Sequence, residues 1–263
     1  FQQMPCRPPA DPETAYIQTV DGWRQLSGDE VGLLLCDHQL SNTTGDNRLT
    51  ASSVVSSQAV AALCARRGVE HIRTLTGFKW IMEPAVKKPE ARWIFGYEEA
   101  LGYSVNDHVL DKDGIAAAVT FMEMVAGLRS KGLDPLTRLD ELAFEIGLYV
   151  TSQVSARFEP QHIESCLEAL RSAPPRDLDG SPIVDITDWL NRPSPHNTNL
   201  LEFRSQGGSR VAIRPSGTEP KVKIYLEQFA QSPHDDLGSA RIRCGEQLES
   251  LGLVALSWFR TES

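Results

Sequence analysis

The 263-residue chain has no long apolar run and no excess of positive charge. A membrane-spanning helix needs ~20 consecutive apolar residues, and because no such stretch occurs, no membrane span is predicted. The first residues also lack the apolar segment of a secretory signal, which predicts a cytoplasmic protein. Lys and Arg number 26 against 35 Asp and Glu, giving a formal net charge of −9. This balance argues against a nucleic-acid partner, and an anionic ligand would need a local basic cluster.

Cysteine and histidine patterns give no sign of a metal centre or a disulfide framework. The five cysteines, which are odd in number and form no CxxC pair, are Cys6, Cys36, Cys64, Cys166 and Cys244. Widely spaced cysteines in such a chain are typical of reduced thiols in the core or at the surface. The six histidines form no HxxxH pair, so their spacing does not indicate a zinc site either.

The composition is that of a folded protein of one large or two smaller domains. Hydrophobic residues make up 41% and charged residues 23%, which excludes wholesale disorder. In the first half, strand patterns alternate with helix patterns, which predicts an α/β domain with a mixed sheet covered on both faces. Strands are expected at Leu49–Val55, Val69–Leu75 and Ala91–Gly96, and helices at Asp29–Gln39 (capped by Asp29), from Ser56 or Ser57 to Gly68, from Asp113 to Gly132 and from Pro135 to Ile146.

A change of pattern predicts a smaller α+β domain at the C-terminus. The segment Arg171–Pro182 contains three prolines and is interpreted as a linker between the domains. After it, Gly207-Gly208 is predicted to form a hairpin turn between two short apolar strands. The expected elements are strands at Leu200–Phe203, Val211–Ile213 and Lys221–Leu226, followed by a helix at Asp235–Leu251.

The segment Arg214–Pro220 (RPSGTEP) is the strongest candidate for a binding site. It joins two predicted strands, and a glycine-opened turn there can direct several N–H groups toward an anion. Arg214 adds a guanidinium that can bind phosphate with two hydrogen bonds, and Lys221 and Lys223 add positive charge nearby. The alternative is an ordinary Ser-Gly turn bracketed by prolines.

Two further loops carry charged residues directly after predicted strands. Glu98 and Glu99 follow one strand, where their carboxylates can accept hydrogen bonds from sugar hydroxyls, bind a metal, or simply be solvated. Lys79 lies between two aromatic residues in the predicted loop Thr76–Trp80. This lysine suits a charged ligand, and the alternative is a surface lysine whose aromatic neighbours belong to the core.

Taken in order, these three loops resemble the α-D-phosphohexomutase family, the phosphoglucomutase/phosphomannomutase group. The resemblance rests on LTGFKWI, on FGYEEALGY with the trailing DKDG at Asp111–Gly114, and on RPSGTEPKVKIYLE. Members have four domains, so the resemblance implies a C-terminal half. Residues 1–48 would be a remnant of the second domain, 49–172 the α/β third domain, and 183–263 the α+β fourth domain, a mobile lid over the active site.

The resemblance also implies roles for individual residues. Glu98 and Glu99 would bind sugar hydroxyls, although the serine that follows them in the family is Ala100 here. Lys79 would be a catalytic residue whose ammonium stabilises charge during phosphoryl transfer. The residues that would hold the non-reacting phosphate of the substrate are Arg214, Ser216, Gly217 and Thr218.

Two loops of the family have no counterpart in this sequence. Thr50–Ser53 (TASS) begins like the phosphoserine loop but continues with Val54-Val55 instead of His-Asn-Pro, and it falls on a predicted strand. Asp11–Tyr16 is the nearest match to the metal loop and lacks most of its ligands. Magnesium is therefore expected for the full-length family, with its ligands outside this chain.

These observations predict the recognition half of a phosphoglucomutase/phosphomannomutase-type intramolecular phosphotransferase, an isomerase of carbohydrate metabolism. The alternative is a non-catalytic phosphosugar-binding or interaction protein that has lost the catalytic half. A hexose or pentose phosphate is the expected ligand. The EEALGY sequence favours the phosphoglucomutase and phosphopentomutase branch, while the particular sugar and the oligomeric state are left open.

Overall fold

The structure, a computed structural model, describes residues 15–19, 22–217, 219–231 and 236–260. The chain divides into two compact units, Phe1–Ile146 and Gly147–Ser263. Among the described residues, no helix has the length and apolar character required to cross a membrane. The division differs from the sequence-based domains, which assigned residues 147–172 to the earlier domain.

The first unit is an α/β domain built on a mixed four-stranded sheet, as predicted. Its sheet order is β4-β3-β5-β6; β3 runs parallel to β4 and β5, and β6 is antiparallel to β5. A separate hairpin is formed by β1 and β2. The elements are β1 (Tyr16–Thr19), β2 (Gly22–Gln25), α1 (Gly28–Asn42), β3 (Arg48–Ser53), α2 (Ala59–Arg66), β4 (Glu70–Thr74), α3 (Phe78–Ile81), α4 (Glu83–Lys87), β5 (Arg92–Glu98), β6 (Gly102–Ser104), α5 (Gly114–Ser130) and α6 (Pro135–Ile146).

The first long helix, α1, begins earlier than predicted because a different residue caps it. Ser27 accepts a hydrogen bond from the Glu30 N–H at 3.1 Å, and the Glu30 carboxylate accepts one from the Ser27 N–H at 2.9 Å, which is a complete capping box. Asp29, the predicted cap, lies inside the helix instead. Leu34 and Leu35 are fully buried and pack in the same core cluster as Phe95 and Tyr97 of β5.

The starts of α5 and α6 are confirmed. Asp113 caps α5 by accepting a hydrogen bond from the Ala116 N–H at 2.9 Å, and Asp134 accepts one from the Thr137 N–H at 2.8 Å beside the first residue of α6. Buried Leu142 then attaches α6 to the core of the unit.

A buried carboxylate joins three helices of the first unit. Asp37 of α1 is 7% exposed and accepts hydrogen bonds from Arg67 at 3.0 Å and from Arg138 at 2.8 and 2.9 Å. Glu145 of α6 also accepts two hydrogen bonds from Arg67 at 3.1 Å. Because each charge has partners, this cluster fixes α6 and the residue after α2 against α1.

The second unit is an α+β domain on a six-stranded antiparallel sheet, which confirms the predicted class. The sheet order is β7-β12-β11-β10-β9-β8. The helices α7 and α8 contribute apolar residues to one buried cluster with the sheet. The elements are β7 (Leu148–Arg157), α7 (Pro160–Ser172), β8 (Asp177–Leu178), β9 (Ser181–Asp188), a 3₁₀ helix (Trp189–Asn191), β10 (Leu201–Ser205), β11 (Ser209–Pro215), β12 (Lys221–Ala230) and α8 (Leu237–Ser257).

The first strand of this unit explains why its boundary lies earlier than residue 183. β7 pairs with β12 along its whole length, from Leu148 opposite Ala230 to Arg157 opposite Lys221. The predicted linker 171–182 therefore lies within the unit, where it ends α7 and forms the β8–β9 hairpin.

The predicted turn between β10 and β11 is confirmed. Gly208 has φ 86°, and a Cβ there would lie 2.6 Å from the carbonyl oxygen of Phe229, so this turn requires glycine. The last predicted helix begins at Leu237, capped by Asp236, and continues to Ser257. Its first predicted residue, Asp235, lies outside the described residues.

Candidate functional site

The lysine loop and the glutamate loop lie side by side at one edge of the first sheet. β4 and β5 both run parallel to β3, so the residues that follow them emerge at the same edge. The Gly77 N–H after β4 donates a hydrogen bond to the carboxylate of Glu98, at the end of β5, over 3.1 Å. The backbone of one predicted motif therefore orients the carboxylate of the other.

Lys79 lies on a short helix rather than in an open loop. α3 begins at Phe78, whose ring is buried with Ile81 in a cluster under the sheet edge. Lys79 is exposed, and its Nζ lies 4.7 Å from the centroid of the Trp80 ring, a cation–π distance. The aromatic residue before the lysine thus belongs to the core, and the lysine itself is at the surface.

A second cation lies close to the neighbouring aromatic residue, Phe78. Lys112, from the DKDG segment, places its Nζ 5.9 Å from the centroid of the Phe78 ring. Sequence reasoning used DKDG as a marker of resemblance but did not assign a role to its lysine. The signal was a basic residue in a loop after β6, a strand adjacent to β5.

Close packing requires a glycine beside Glu98. A Cβ at Gly102 would lie 2.6 Å from Cε2 of Phe78 and 3.0 Å from Cγ of Glu98. Leu101, the residue before it, adopts φ 62°, a left-handed conformation that is uncommon for a residue with a side chain. The turn between β5 and β6 is therefore a tight, specific conformation that brings Glu98 against Phe78.

Glu99 points into a group of serine hydroxyls that sequence reasoning missed. Its Oε2 accepts hydrogen bonds from Ser53 and Ser56, each over 3.1 Å, and its N–H donates to Ser56 Oγ over 3.1 Å. The two serines are 0% and 1% exposed, and their hydroxyls are 2.7 Å apart. The available signal was the serine-rich segment 52–57, which spans the end of β3 and the residues after it, because β3 and β5 end at the same edge.

Helix α1 supports the same edge from its N-terminus. Asp29 accepts hydrogen bonds from the Ser57 N–H at 2.8 Å and from the Tyr97 hydroxyl at 3.0 Å. The Tyr103 hydroxyl donates to the carbonyl oxygen of Gly28 at 3.1 Å. Burial, together with the charges of Asp29 and Glu99, raises the pKa of Tyr103 well above its usual range, so the hydroxyl stays protonated and keeps this bond.

The TASS segment has structural partners in the fold. It lies on a strand, as predicted, and the strand ends at Ser53 rather than at Val55. Ser52 Oγ is 3.0 Å from His71 Nε2, and Ser53 is bonded to Glu99. Both serines are buried, at 2% and 0% exposure. Their hydroxyls therefore form hydrogen bonds inside the protein, at the edge of the sheet, rather than facing solvent.

The RPSGTEP segment forms a tight connection between β11 and β12. The Ser216 N–H donates to the carbonyl oxygen of Lys221 at 2.8 Å, which closes the loop. Arg214 and Ser216 are half-buried and Gly217 is exposed, while Thr218 lies outside the described residues. Arg214 pairs in register with Lys223 on the neighbouring strand, so two cations lie side by side at the loop.

The positive charge at this loop extends to a residue that sequence reasoning missed. Arg157, at the end of β7, is opposite Lys221 in the sheet register. Glu219 in the loop forms ion pairs with both, at 2.5 Å to Lys221 and 3.5 Å to Arg157, and Lys221 holds the pKa of Glu219 below its usual value. A local basic cluster therefore exists in a chain of net negative charge, as an anion site would need.

The described part of the chain shows no cluster of candidate ligands for magnesium, the cofactor expected from the resemblance. Across residues 15–19, 22–217, 219–231 and 236–260, no three His, Cys, Asp or Glu side chains converge as a metal site would require. Most of the segment Asp11–Tyr16 lies outside these ranges.

The chain matches two family models in succession. Residues 27–143 match phosphoglucomutase/phosphomannomutase, alpha/beta/alpha domain III, and residues 179–236 match the phosphoglucomutase/phosphomannomutase C-terminal domain. The first match includes α1, which the sequence-based division had placed in an earlier domain. Together the two matches cover more than half of the chain.

Individual relatives give the same result. The Haemophilus influenzae protein named "Probable phosphomannomutase" is 35% identical over 231 residues, which cover 87% of this chain and 46% of that protein. Human phosphopentomutase is 29% identical over 242 residues, covering 81% and 40%. The chain thus spans less than half the length of both.

A solved structure shares the fold. The open form of the Paramecium phosphoglucomutase pp63/parafusin superimposes with a TM-score of 0.66 at 20% identity, covering 89% of this chain and 41% of that one. Because both family models match in order, and the curated relatives extend well beyond the matched region, the chain belongs to the phosphoglucomutase/phosphomannomutase family and corresponds to its C-terminal half.

Proposed function

We propose that this chain is the sugar- and phosphate-recognition half of a phosphoglucomutase/phosphomannomutase-type phosphotransferase and that it binds a hexose or pentose phosphate. The observation that carries the proposal is the hydrogen bond from Gly77 to Glu98. It fixes a half-buried carboxylate next to the helix that bears Lys79. A carboxylate held in one orientation is suited to accept hydrogen bonds from neighbouring sugar hydroxyls.

The two glutamates have different roles in this proposal. Glu98 binds the sugar. Glu99 has a structural role, because its carboxylate already accepts hydrogen bonds from Ser53 and Ser56. Lys79 supplies positive charge near the transferred phosphoryl group, where an ammonium stabilises the charge that develops. Ala100 supplies no hydroxyl, so one sugar contact expected from the resemblance is lost.

The non-reacting phosphate binds at the loop between β11 and β12. Arg214 provides a planar guanidinium for two parallel hydrogen bonds, and Ser216, Gly217 and Thr218 provide hydroxyl and backbone donors. The neighbouring Lys223 raises the local concentration of anions. Arg157 adds charge at the far side of the same loop.

The complete phosphoryl transfer belongs to a longer protein in this proposal. A phosphoserine and a magnesium ion would be supplied outside the described residues, and the chain would act in the cytoplasm. A non-catalytic phosphosugar-binding or interaction protein is the second candidate, favoured by the valines that follow TASS in place of His-Asn-Pro. Both candidates require the same phosphate loop.

The test is a titration with glucose 1-phosphate and ribose 1-phosphate, followed by amide NMR shifts on the full chain. We expect the shifts to map to Gly77, Glu98 and the Ser216–Gly217 turn. Arg214→Ala should weaken binding by about one to two decades, because a hydrogen bond to a charged group contributes ~1.5–3 kcal/mol. Arg243→Ala, which removes the same charge from the exposed face of α8, is the matched control. Equal affinities in the two variants, or shifts confined to other regions, would overturn the proposal.

A further inference from the structure

Two cysteines at the contact between α1 and α2 take no part in the proposed sugar and phosphate site. Cys36 and Cys64 are both free thiols and both 0% exposed. Their Sγ atoms are 3.9 Å apart, a distance at which one thiol can donate a weak hydrogen bond to the other sulfur. Since 28 positions separate them in the sequence, spacing alone gave no indication of this pair.

A chain of polar groups leads from this pair toward the surface. Thr50 Oγ1 lies 3.2 Å from Cys64 Sγ and 2.9 Å from His71 Nδ1. The His71 ring is half-buried, and its other nitrogen lies 3.0 Å from Ser52 Oγ. A proton released by the Cys64 thiol therefore has a hydrogen-bonded path to an imidazole.

The two sulfurs have different environments. The hydrogen bond from Cys36, assisted by His71 and Thr50, lowers the pKa of Cys64, whereas burial raises the pKa of Cys36. A thiolate is the nucleophilic form of cysteine. Cys64 is thus the sulfur that reacts first, and Cys36 is the adjacent thiol that can react with it.

We propose that Cys36 and Cys64 form an oxidisable pair, which hydrogen peroxide converts to a disulfide bond between α1 and α2. In the first step the Cys64 thiolate attacks a peroxide oxygen, the O–O bond breaks, and Cys64 sulfenic acid and one water form, the thiol proton passing to the leaving oxygen through His71. In the second step the Cys36 sulfur attacks the Cys64 sulfur, the S–O bond breaks, and the departing hydroxide takes the Cys36 thiol proton to form a second water. The peroxide takes up the two electrons that the thiols lose.

Among the four cysteines in the described part of the chain, only this pair has its two sulfur atoms in contact. A disulfide requires the sulfurs to approach to about 2 Å, and two contacting side chains can do this by rotation and a small helix shift. Cys166 lies beside a histidine, with its Sγ 3.5 Å from His162 Nε2, and is more exposed than either member of the pair. Cys166 is therefore the control that shows how far exposure to the oxidant alone determines which thiol is oxidised.

The experiment maps disulfides in the full-length chain after treatment with hydrogen peroxide. Remaining thiols are blocked with N-ethylmaleimide during unfolding, and trypsin then cleaves after Arg24, Arg48 and Arg66, which places the two cysteines in separate peptides. We expect a linked peptide, two hydrogens lighter than its parts, that dithiothreitol removes. Because this readout uses the unmodified chain, it does not depend on any variant folding.

Variants then assign the chemistry. Cys36→Ser should abolish the linked peptide and leave a Cys64 sulfenic acid that dimedone traps, whereas Cys166→Ser should leave the linked peptide unchanged. The proposal is overturned if no Cys36–Cys64 peptide forms at peroxide doses that oxidise Cys166. It is also overturned if the link forms only when peroxide is added to denatured chain, or if links to Cys166 or Cys244 are equally abundant.

Discussion

Replacing Glu99 with alanine should destabilise the first unit while affecting sugar-phosphate binding less than the matched change at Glu98. Glu99 accepts one hydrogen bond from each of two buried serines, Ser53 and Ser56. Each hydrogen bond to a charged group contributes ~1.5–3 kcal/mol. The serine hydroxyls can still bond to each other over 2.7 Å, which offsets part of the loss. We therefore expect the free energy of local opening of the first unit around β3 and β5 to fall by about 2–4 kcal/mol.

Glu98→Ala provides the control. It removes the hydrogen bond from the Gly77 N–H, which contributes at most ~1.5–3 kcal/mol and less at this partly solvated carboxylate. Local opening should therefore become easier by less than in Glu99→Ala, while sugar-phosphate affinity should fall clearly. Amide hydrogen exchange of peptides from β3, β5 and α1 measures local opening without assuming that both units unfold together. The reasoning is refuted if Glu99→Ala exchanges like the parent chain, or if it weakens sugar-phosphate binding as much as Glu98→Ala does.

Three further predictions address the fold and the reaction. Asp37→Ala should lower the free energy of unfolding of the first unit by ~3 kcal/mol, because it leaves two arginines without their shared buried carboxylate. Asp37→Asn should lose less, and urea titration of both variants measures the difference. Gly102→Ala should lower the free energy of unfolding by ~1–3 kcal/mol, since its Cβ would lie 2.6 Å from the Phe78 ring. Gly114→Ala is the control: nothing lies within 4 Å of its Cβ, so it should have little effect on the melting temperature. The chain incubated with glucose 1-phosphate, magnesium and glucose 1,6-bisphosphate should produce no glucose 6-phosphate at enzymatic rates, because the reaction requires a phosphorylated nucleophile. Sustained turnover in a coupled dehydrogenase assay would contradict this prediction.

Local signals were sufficient to predict much of the first unit. Apolar periodicity located α1, α2, α5 and α6 and the strands β3, β4 and β5, and Asp113 and Asp134 were recognisable as residues that start helices. The short helices α3 and α4 were not predicted. The cap of α1 was missed because Ser27 and Asp29 are both suitable residue types, and only the observed bond to Glu30 distinguishes them.

Features that depend on distant segments could not be predicted. β7 pairs with β12, which lies far along the chain, so no local pattern indicated that residues 148–157 belong to the second unit. Likewise, the contact of Glu99 with Ser53 and Ser56 depends on the register of two parallel strands, which the sequence does not reveal. The three binding motifs were found because each is contiguous in the sequence.

The pairing of β7 with β12 determines how the second unit can be produced by itself. A fragment cut at residues 179–236, the range of the C-terminal family model, would lack β7. β12 would still pair with β11 but would become an edge strand, with its other edge exposed. Such an edge, carrying the apolar side chains of Val222, Ile224 and Leu226, is a template for intermolecular strand addition and aggregation. The same cut would remove α7 and α8, which supply much of the buried cluster. Expression trials of this unit should therefore begin at or before Gly147 and include residue 260.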